Sequence, residues 1–352
     1  MKPLAAAYGR VAGLRRAWYA RHPDRQHRLG VPVVSVGNLV AGGSGKTPVV
    51  AAIARLLQAA GERPAILSRG YRRRTRSNQV VVVSDGATVL ASVDESGDEP
   101  QMLARGLPGV PVVVCARRYR AGQVACSRFD PSVLLLDDGF QHLELKRDVE
   151  LLIVSPADLD EQVLPAGALR EDLSAARCAD AVLVPGAVDE MERVAGALSV
   201  ARAFRIEAAF DAVRGVDDAY GASAGADDRG SMAGRRDVIA AVAGIARPQR
   251  FFRDLRALGW TVAVEIVRPD HHWYDAADVA RIESPARDAG AVAVMTTEKD
   301  AVRLQGVQRS MPWFFLPLRV AVLPEDAFGE WLRDRLTAAR RALPTRPDVR
   351  SR

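Results

Sequence analysis

The chain has 352 residues, 48% of them apolar and 26% charged, ordinary proportions for a globular protein with room for two cores. No stretch approaches the about 18 uncharged apolar residues of a bilayer-crossing helix, and Arg10, Arg15 and Arg16 interrupt any leader-type apolar run. Three cysteines (Cys115, Cys126, Cys178) have neither metal-ligand spacing nor an even count, which points to a reducing cytoplasm.

The net charge of +6 sits at the start of the chain. Residues 1–30 hold seven basic side chains (Lys2, Arg10, Arg15, Arg16, Arg21, Arg25, Arg28) against one acid, Asp24, and the remainder is balanced. Leu4, Tyr8, Val11, Leu14 and Trp18 recur at helical spacing and form one apolar stripe, into which Arg15 intrudes. A basic amphipathic helix with Tyr and Trp suits an anionic membrane surface. A first helix packed on the domain, with its basic face in water, accounts for the same pattern.

Next comes an apolar strand over 31–36, then a glycine-rich loop, then an apolar helical run over 49–60. Residues Val40, Ala41, Gly42, Gly43, Ser44, Gly45, Lys46 and Thr47 satisfy G-x-x-x-x-G-K-[ST] except at the first position, which is Val40. Glycines let backbone N–H groups wrap a phosphate, and the following helix N-terminus adds positive dipole. Lys46 suits the β- and γ-phosphates and the Thr47 hydroxyl suits Mg²⁺; Pro48 falls in the first helical turn, where its missing N–H costs nothing. A nucleoside triphosphate is the expected ligand.

Further strands are expected at 64–68, 79–83, 110–114, 133–136, 150–154 and 181–184, with helices at 99–105 and 117–126. The alternation predicts an α/β fold, a phosphate-loop NTPase-type core on a largely parallel sheet with its site at the strand C-termini. Residues 213–236, rich in Gly, Ala, Asp and Ser, read as a linker. A smaller C-terminal α/β domain is expected over 237–352: strands at 238–243, 261–267 and 291–296, helices at 249–258 and 276–286, a segment at 313–323, a helix at 325–343 and a mobile tail at 344–352. The division is thus an N-terminal basic amphipathic helix suited to a membrane surface (1–30), a phosphate-loop core (31–212), the linker (213–236) and the smaller domain (237–352).

Chemistry-bearing residues cluster at strand ends. The strand VLLLDD ends in Asp137 and Asp138, and one of them would bind Mg²⁺ directly or through water while the other ligates too or holds His142. In GDEP (97–100), Asp98 either N-caps the following helix or serves as a general base beside the γ-phosphate. His271 and His272, in RPDHHWYD, follow a strand of the smaller domain; a His beside Asp270 could share proton handling with Asp98 if the domains close over the substrate. The basic turn SRGYRRR (68–74) suits phosphate, a solvated loop or a nucleic acid; Arg117 and Arg118 form a similar cluster.

These motifs together resemble the tetraacyldisaccharide 4′-kinase (lipid A 4′-kinase) family over nearly the whole chain. They are GNLVAGGSGKTP (37–48), SRGY (68–71), GDEP, DDGFQH (137–142), LPAGALRE (164–171), GIARPQRFF (244–252), DHHWY (270–274) and TTEKDAVRL (296–304). Val40 in place of the first glycine is similar to the family's own loop. The resemblance implies Mg²⁺-dependent transfer of the ATP γ-phosphate to the 4′-hydroxyl of a tetraacyldisaccharide 1-phosphate, forming lipid IVA in lipid A (lipopolysaccharide) biosynthesis. It implies Asp98 as catalytic base with His271 preferred over His272 as its companion, and His142 nearby. Asp138, supported by Asp137, Thr47, Glu99 and Glu171, would serve the metal. Arg69, Tyr71 and Arg118 would meet the headgroup phosphate. Arg72 departs from the pattern, standing where many relatives have Gly. Such a substrate places the enzyme peripherally on the cytoplasmic side of the inner membrane, with the basic N-terminal helix docked on its anionic surface. Competing readings are a phosphate-loop ATPase or GTPase without a small acceptor, and a nucleic-acid-binding module. The chain lacks helix-turn-helix, zinc-spacing and aromatic RNA-binding signatures, so no nucleic-acid partner is expected.

Overall fold

The computed structural model describes residues 1–42, 45–75, 78–217 and 237–343. Gly43 and Ser44 of the expected phosphate loop, most of the expected linker and the tail at 344–352 lie outside the described residues.

In chain order the elements are α1 (Lys2–Arg21), β1 (Val33–Asn38), α2 (Lys46–Ala59), β2 (Pro64–Ser68), β3 (Val81–Ser84), α3 (Val93–Ser96), α4 (Asp98–Gly106), β4 (Val112–Val114), α5 (Arg118–Phe129) and β5 (Val133–Asp137). Then come β6 (Val149–Ile153), β7 (Ala181–Pro185), α6 (Val188–Leu198), β8 (Ala203–Phe210) and β9 (Arg214–Gly215). The remainder is β10 (Val238–Ala243), α7 (Pro248–Ala257), β11 (Thr261–Val267), α8 (Ala276–Asp288), β12 (Ala293–Thr297), α9 (Glu298–Arg303), β13 (Trp313–Leu316), β14 (Leu318–Leu323) and α10 (Glu325–Arg341).

Continuous apolar runs such as VLLL in β5 are buried on both faces, as strands of a parallel sheet must be. A nine-stranded sheet runs β14-β8-β7-β6-β1-β5-β2-β4-β3, parallel except at its edge strands β3 and β14. Helices α2, α4 and α10 cover one face, with Ile53, Leu103 and Phe328 in one core. Helices α5 and α6 cover the other through Ala121 and Ala125, and through Val194 and Leu198. A second sheet, β11-β10-β12-β13-β9, carries α8 on one face and α7 on the other.

The expected domain division needs correction at both ends of the smaller unit. The segment at 313–323 is two strands separated at Pro317, and only β13 joins the second sheet. Strand β14 returns to the first sheet, antiparallel to β8, and α10 follows it. The cause is apolar: Phe328, Leu332 and Leu336 of α10 join the first core, and Phe328 meets Phe204 edge-on at 5.0 Å. Residues 318–343 therefore belong to the larger unit. Conversely, β9 lies inside the expected linker yet pairs with β13, and Val216 beyond it is buried in the second core.

Candidate active site

Strand β1 lies between β5 and β6, with Val36 in register with Asp137. The chain segments after β1 and β5 therefore leave the sheet side by side. Gly37 allows this: a Cβ there would come within 2.4 Å of the Phe140 Cβ. Helix α2 starts at Lys46 directly after Gly45, whose φ of 75° favours glycine. The Lys46 ammonium donates to Asn38 Oδ1 at 3.0 Å and lies 3.4 Å from Asp138 Oδ1. Asn38 in turn donates to the Val40 carbonyl at 2.6 Å. Thr47 is buried in the first turn of α2. Ala41 N–H donates to the Ala168 carbonyl at 2.7 Å, so the LPAGALRE segment lines the loop.

The two strand-end acids have different environments. Asp138 adopts φ 53°, and Arg170 donates to it at 3.0 and 3.1 Å. Burial acts to raise its pKa, but Lys46 and Arg170 prevail and hold it below the usual carboxylate range. Asp137 is buried, accepts only a 3.3 Å contact from Ser68 Oγ, and leaves Oδ1 without a partner among the described residues. Burial and the neighbouring Asp138 push its carboxyl up to about 6. Glu99 is pushed up to about 7 by burial and then by Asp137 and Asp98, against the pull of Lys299 and Lys46. An orphaned carboxylate oxygen beside a second acid with a raised pKa fits the donors of a divalent cation. Among the described residues no group of three or more His, Cys, Asp or Glu forms a complete metal cage. That fits Mg²⁺, which takes one or two carboxylates and completes its shell with phosphate oxygens and water.

The second half of the site joins Asp98 of the larger unit to side chains of the smaller one. Asp98 begins α4 after Gly97, whose φ is 90° and where a Cβ would meet the Tyr71 carbonyl at 2.9 Å. Asp98 Oδ2 lies 2.9 Å from His271 Nδ1, 3.0 Å from an Arg303 guanidinium nitrogen and 3.8 Å from Lys299 Nζ. His271 Nε2 faces Lys299 Nζ at 3.2 Å, and Lys299 also donates to Asp270 at 2.8 Å. With Lys299 donating to Nε2, Nδ1 can donate to Asp98, and an Arg303 nitrogen stands 3.1 Å from the same Nδ1. Burial alone would raise Asp98, but the His271 hydrogen bond with Lys299 and Arg303 holds its pKa low. His272 points elsewhere, with Nε2 3.0 Å from Asp278 Oδ2.

The other expected residues divide. Arg118 is buried, its pKa lowered to about 10 by burial and then by Arg69, and its Nε has no partner among the described residues. His142 is pushed down to about 3 by burial and by Arg118, Arg147, Arg15 and Arg69, which keeps it neutral. Tyr71 is exposed and meets the His271 ring edge-on at 5.6 Å. Arg72 takes a glycine-like φ of 54° and donates to the Asp270 carbonyl at 2.9 Å, so the SRGY turn touches the DHHWY loop. Glu171, expected among the metal acids, instead spends both oxygens on Arg16 of α1, each at 2.7 Å. That pairing corrects its expected place. The sequence reading passed over Asn38, Gln141, Arg170, Lys299 and Arg303. Lys299 and Arg303 stand four apart on α9, a spacing that puts both on one helix face.

A Gly-Lys-Thr loop at a helix start, acids at a strand end and a carboxylate–imidazole contact between elements of the two sheets together define the class, a phosphate-loop phosphotransferase. Residues 1–337 match the tetraacyldisaccharide-1-P 4′-kinase family, and the chain belongs to that family. A tetraacyldisaccharide 4′-kinase of Geobacter metallireducens is 41% identical over 304 residues, covering 86% of this chain and 87% of the relative. That of Syntrophus aciditrophicus is 38% identical over 330 residues, covering 90% of this chain and 87% of the relative. Among solved structures, LpxK from Aquifex aeolicus in complex with ATP superposes with a TM-score of 0.76 at 33% identity, covering 95% of this chain and 98% of that one.

Proposed function

We propose that this kinase runs its chemistry between Lys46 and His271, with Asp98 as the base and α1 seated on the cytoplasmic face of the inner membrane. The activity itself follows from the family: ATP-dependent phosphorylation of the 4′-hydroxyl of a tetraacyldisaccharide 1-phosphate, a step of lipid A biosynthesis. The observation that supports the mechanistic reading is the Asp98–His271 contact at 2.9 Å, which joins an element of each sheet.

The acceptor hydroxyl must lose a proton as its oxygen bonds to the γ-phosphorus and the bond to ADP breaks. The Asp98–His271 pair takes that proton, and Lys299 and Arg303 keep the pair fixed. Lys46, already turned toward the cleft acids, pairs with the phosphates, and the loop N–H groups hold them. One or two of Asp137, Asp138 and Glu99, with Thr47, would hold Mg²⁺, which would neutralise charge on the phosphates. Arg69, Tyr71 and Arg118 receive the headgroup phosphate; the unpartnered Arg118 Nε supports that role.

No described helix is long and apolar enough to cross a membrane. Helix α1 nevertheless leaves Leu4, Val11 and Leu14 about two-thirds exposed, at 66%, 66% and 68%, on a strongly basic segment. An acylated, phosphorylated substrate and an exposed apolar stripe flanked by arginines point to an anionic bilayer as the surface it covers. The decisive experiment is transfer of labelled γ-phosphate to the tetraacyldisaccharide 1-phosphate by wild type and by Asp98→Asn. A variant that transfers at the wild-type rate removes Asp98 from the base role.

A further inference from the structure

We infer that Arg16 is a positioning residue for phosphoryl transfer, a strut by which the exposed N-terminal helix holds the turn that carries the metal-site acids. Helix α1 has one buried residue, Ala5, so apolar contact does little to fix it on the domain. Arg16 supplies the fixing. Its Nε and one terminal nitrogen pair with the two Glu171 oxygens at 2.7 Å each, and that nitrogen also donates to the Phe140 carbonyl at 3.0 Å. The guanidinium lies 4.1 Å from the centre of the Phe140 ring. Both partners are nearly closed to water, at 11% and 7% side-chain exposure. Arg15 adds a 3.0 Å hydrogen bond to the Gln141 carbonyl.

The groups that Arg16 grips belong to the site on their other side. Phe140 and Gln141 lie two and three residues beyond Asp138, and Gln141 donates to the Asn38 carbonyl at 3.0 Å. Glu171 adjoins Arg170, whose side chain binds Asp138 and whose N–H donates to the Leu39 carbonyl at 2.7 Å. One planar guanidinium thus spans both segments that set the position of Asp138. An exposed ion pair is worth little, but a bidentate fork screened from water fixes geometry as well as charge. An ammonium cannot reproduce that fork.

This inference rests on the family reaction and needs neither the membrane assignment nor the base assignment. The test compares wild type, Arg16→Ala, Arg16→Lys and the exchange Arg16→Glu with Glu171→Arg. Rates are measured on the tetraacyldisaccharide 1-phosphate in detergent micelles, partition on anionic phosphatidylglycerol vesicles, and hydrogen exchange on the metal-free protein. Arg16→Ala should lower kcat at least tenfold with KM for ATP and vesicle partition within twofold. Amide exchange over 139–142 should rise at least fivefold, and Arg16→Lys and the exchanged pair should each recover part of the rate. Unchanged kcat, a loss that disappears when micellar substrate saturates, or faster exchange confined to residues 2–21 would each overturn the inference and leave Arg16 a mere fastening for α1.

Discussion

His271 Nδ1 and Asp98 Oδ2 lie 2.9 Å apart although 173 residues separate them and different sheets carry them. The contact exists only because α9 packs against α4 and brings Lys299 and Arg303 to the same carboxylate. With Nδ1–H on Asp98, any move of the smaller domain also moves the imidazole relative to the phosphate loop. Asp98→Asn keeps the shape and removes the proton acceptor, so kcat should fall about 10²–10⁴-fold, the span of general base catalysis. ATP binding, followed by equilibrium titration, should stay within twofold. His271→Asn should remove or shift one limb of the pH–rate profile, and an unaltered profile excludes His271 from the proton path.

Arg303 is the partner whose loss should cost stability. Its side chain is fully buried against Asp98, also buried, and it donates to the His272 carbonyl at 3.1 Å. Removing one member of a buried pair costs about 3–5 kcal/mol because the other charge stays buried. Arg303→Met should therefore unfold several degrees lower by calorimetry. Adding Asp98→Asn should return much of that loss, since the stranded charge is then gone. The Arg303 guanidinium also lies 4.8 Å from the centre of the Trp273 ring, and equal and additive losses in the two single variants would show that Arg303 acts through that contact instead.

Local chemistry was legible in the chain and long-range partners were not. GGSGKT, DDGFQH and DHHWY each announce a strand end with reactive side chains, because glycine spacing and acid position follow from local backbone needs. The alternation of apolar runs likewise gave a largely parallel sheet. The return of β14 to β8 is different: its strand pattern is ordinary, and what favours the first sheet is long-range burial of Val322, Phe328, Leu332 and Leu336 in its core. Glu171 shows the same limit. The family resemblance puts Glu171 among the metal acids, while Arg16, 155 residues away, pairs with both its oxygens. Lys299 and Arg303 lay in a motif visible from the start, but their target was on another sheet.

The proposed metal acids should make the site sensitive to pH. Glu99 is held at about 7 and Asp137 at about 6 in the metal-free protein. Both carry protons below those values, so Mg²⁺–ATP affinity should drop as pH falls from about 7 to 6 and protons compete with the cation. Stability of the metal-free protein runs the other way. A carboxyl whose folded pKa is raised contributes stability in full below its unfolded pKa, near 4.5 for Glu99, and that contribution is lost as pH rises through about 7. Glu99→Gln should flatten both dependences. Titration calorimetry from pH 5.5 to 8 checks the first and thermal melting the second; parallel curves for variant and wild type would remove Glu99 from the metal site.

The exposed stripe on α1 gives the last prediction. Deleting residues 1–20 should release the protein from membranes while ATP binding survives, but the deletion also removes Arg15 and Arg16, which hold the 140–141 turn and Glu171. Replacing Leu4, Val11, Leu14 and Trp18 with Ser separates the two effects, because the first three are about two-thirds exposed, Trp18 packs on Tyr19 and His22 of its own segment, and Arg16 remains in place. A fully buried apolar side chain contributes about 1.5–3 kcal/mol, so even partial insertion of four should lower partition onto phosphatidylglycerol vesicles at least a hundredfold. The arginines alone then leave a weak attraction that 0.5 M salt abolishes, since exposed charges are screened within a few ångströms. The rate on micellar substrate at saturation should change less than threefold. A quadruple variant that floats with vesicles as wild type does would show that α1 meets the bilayer through its charges or not at all, and the stripe would need a different partner.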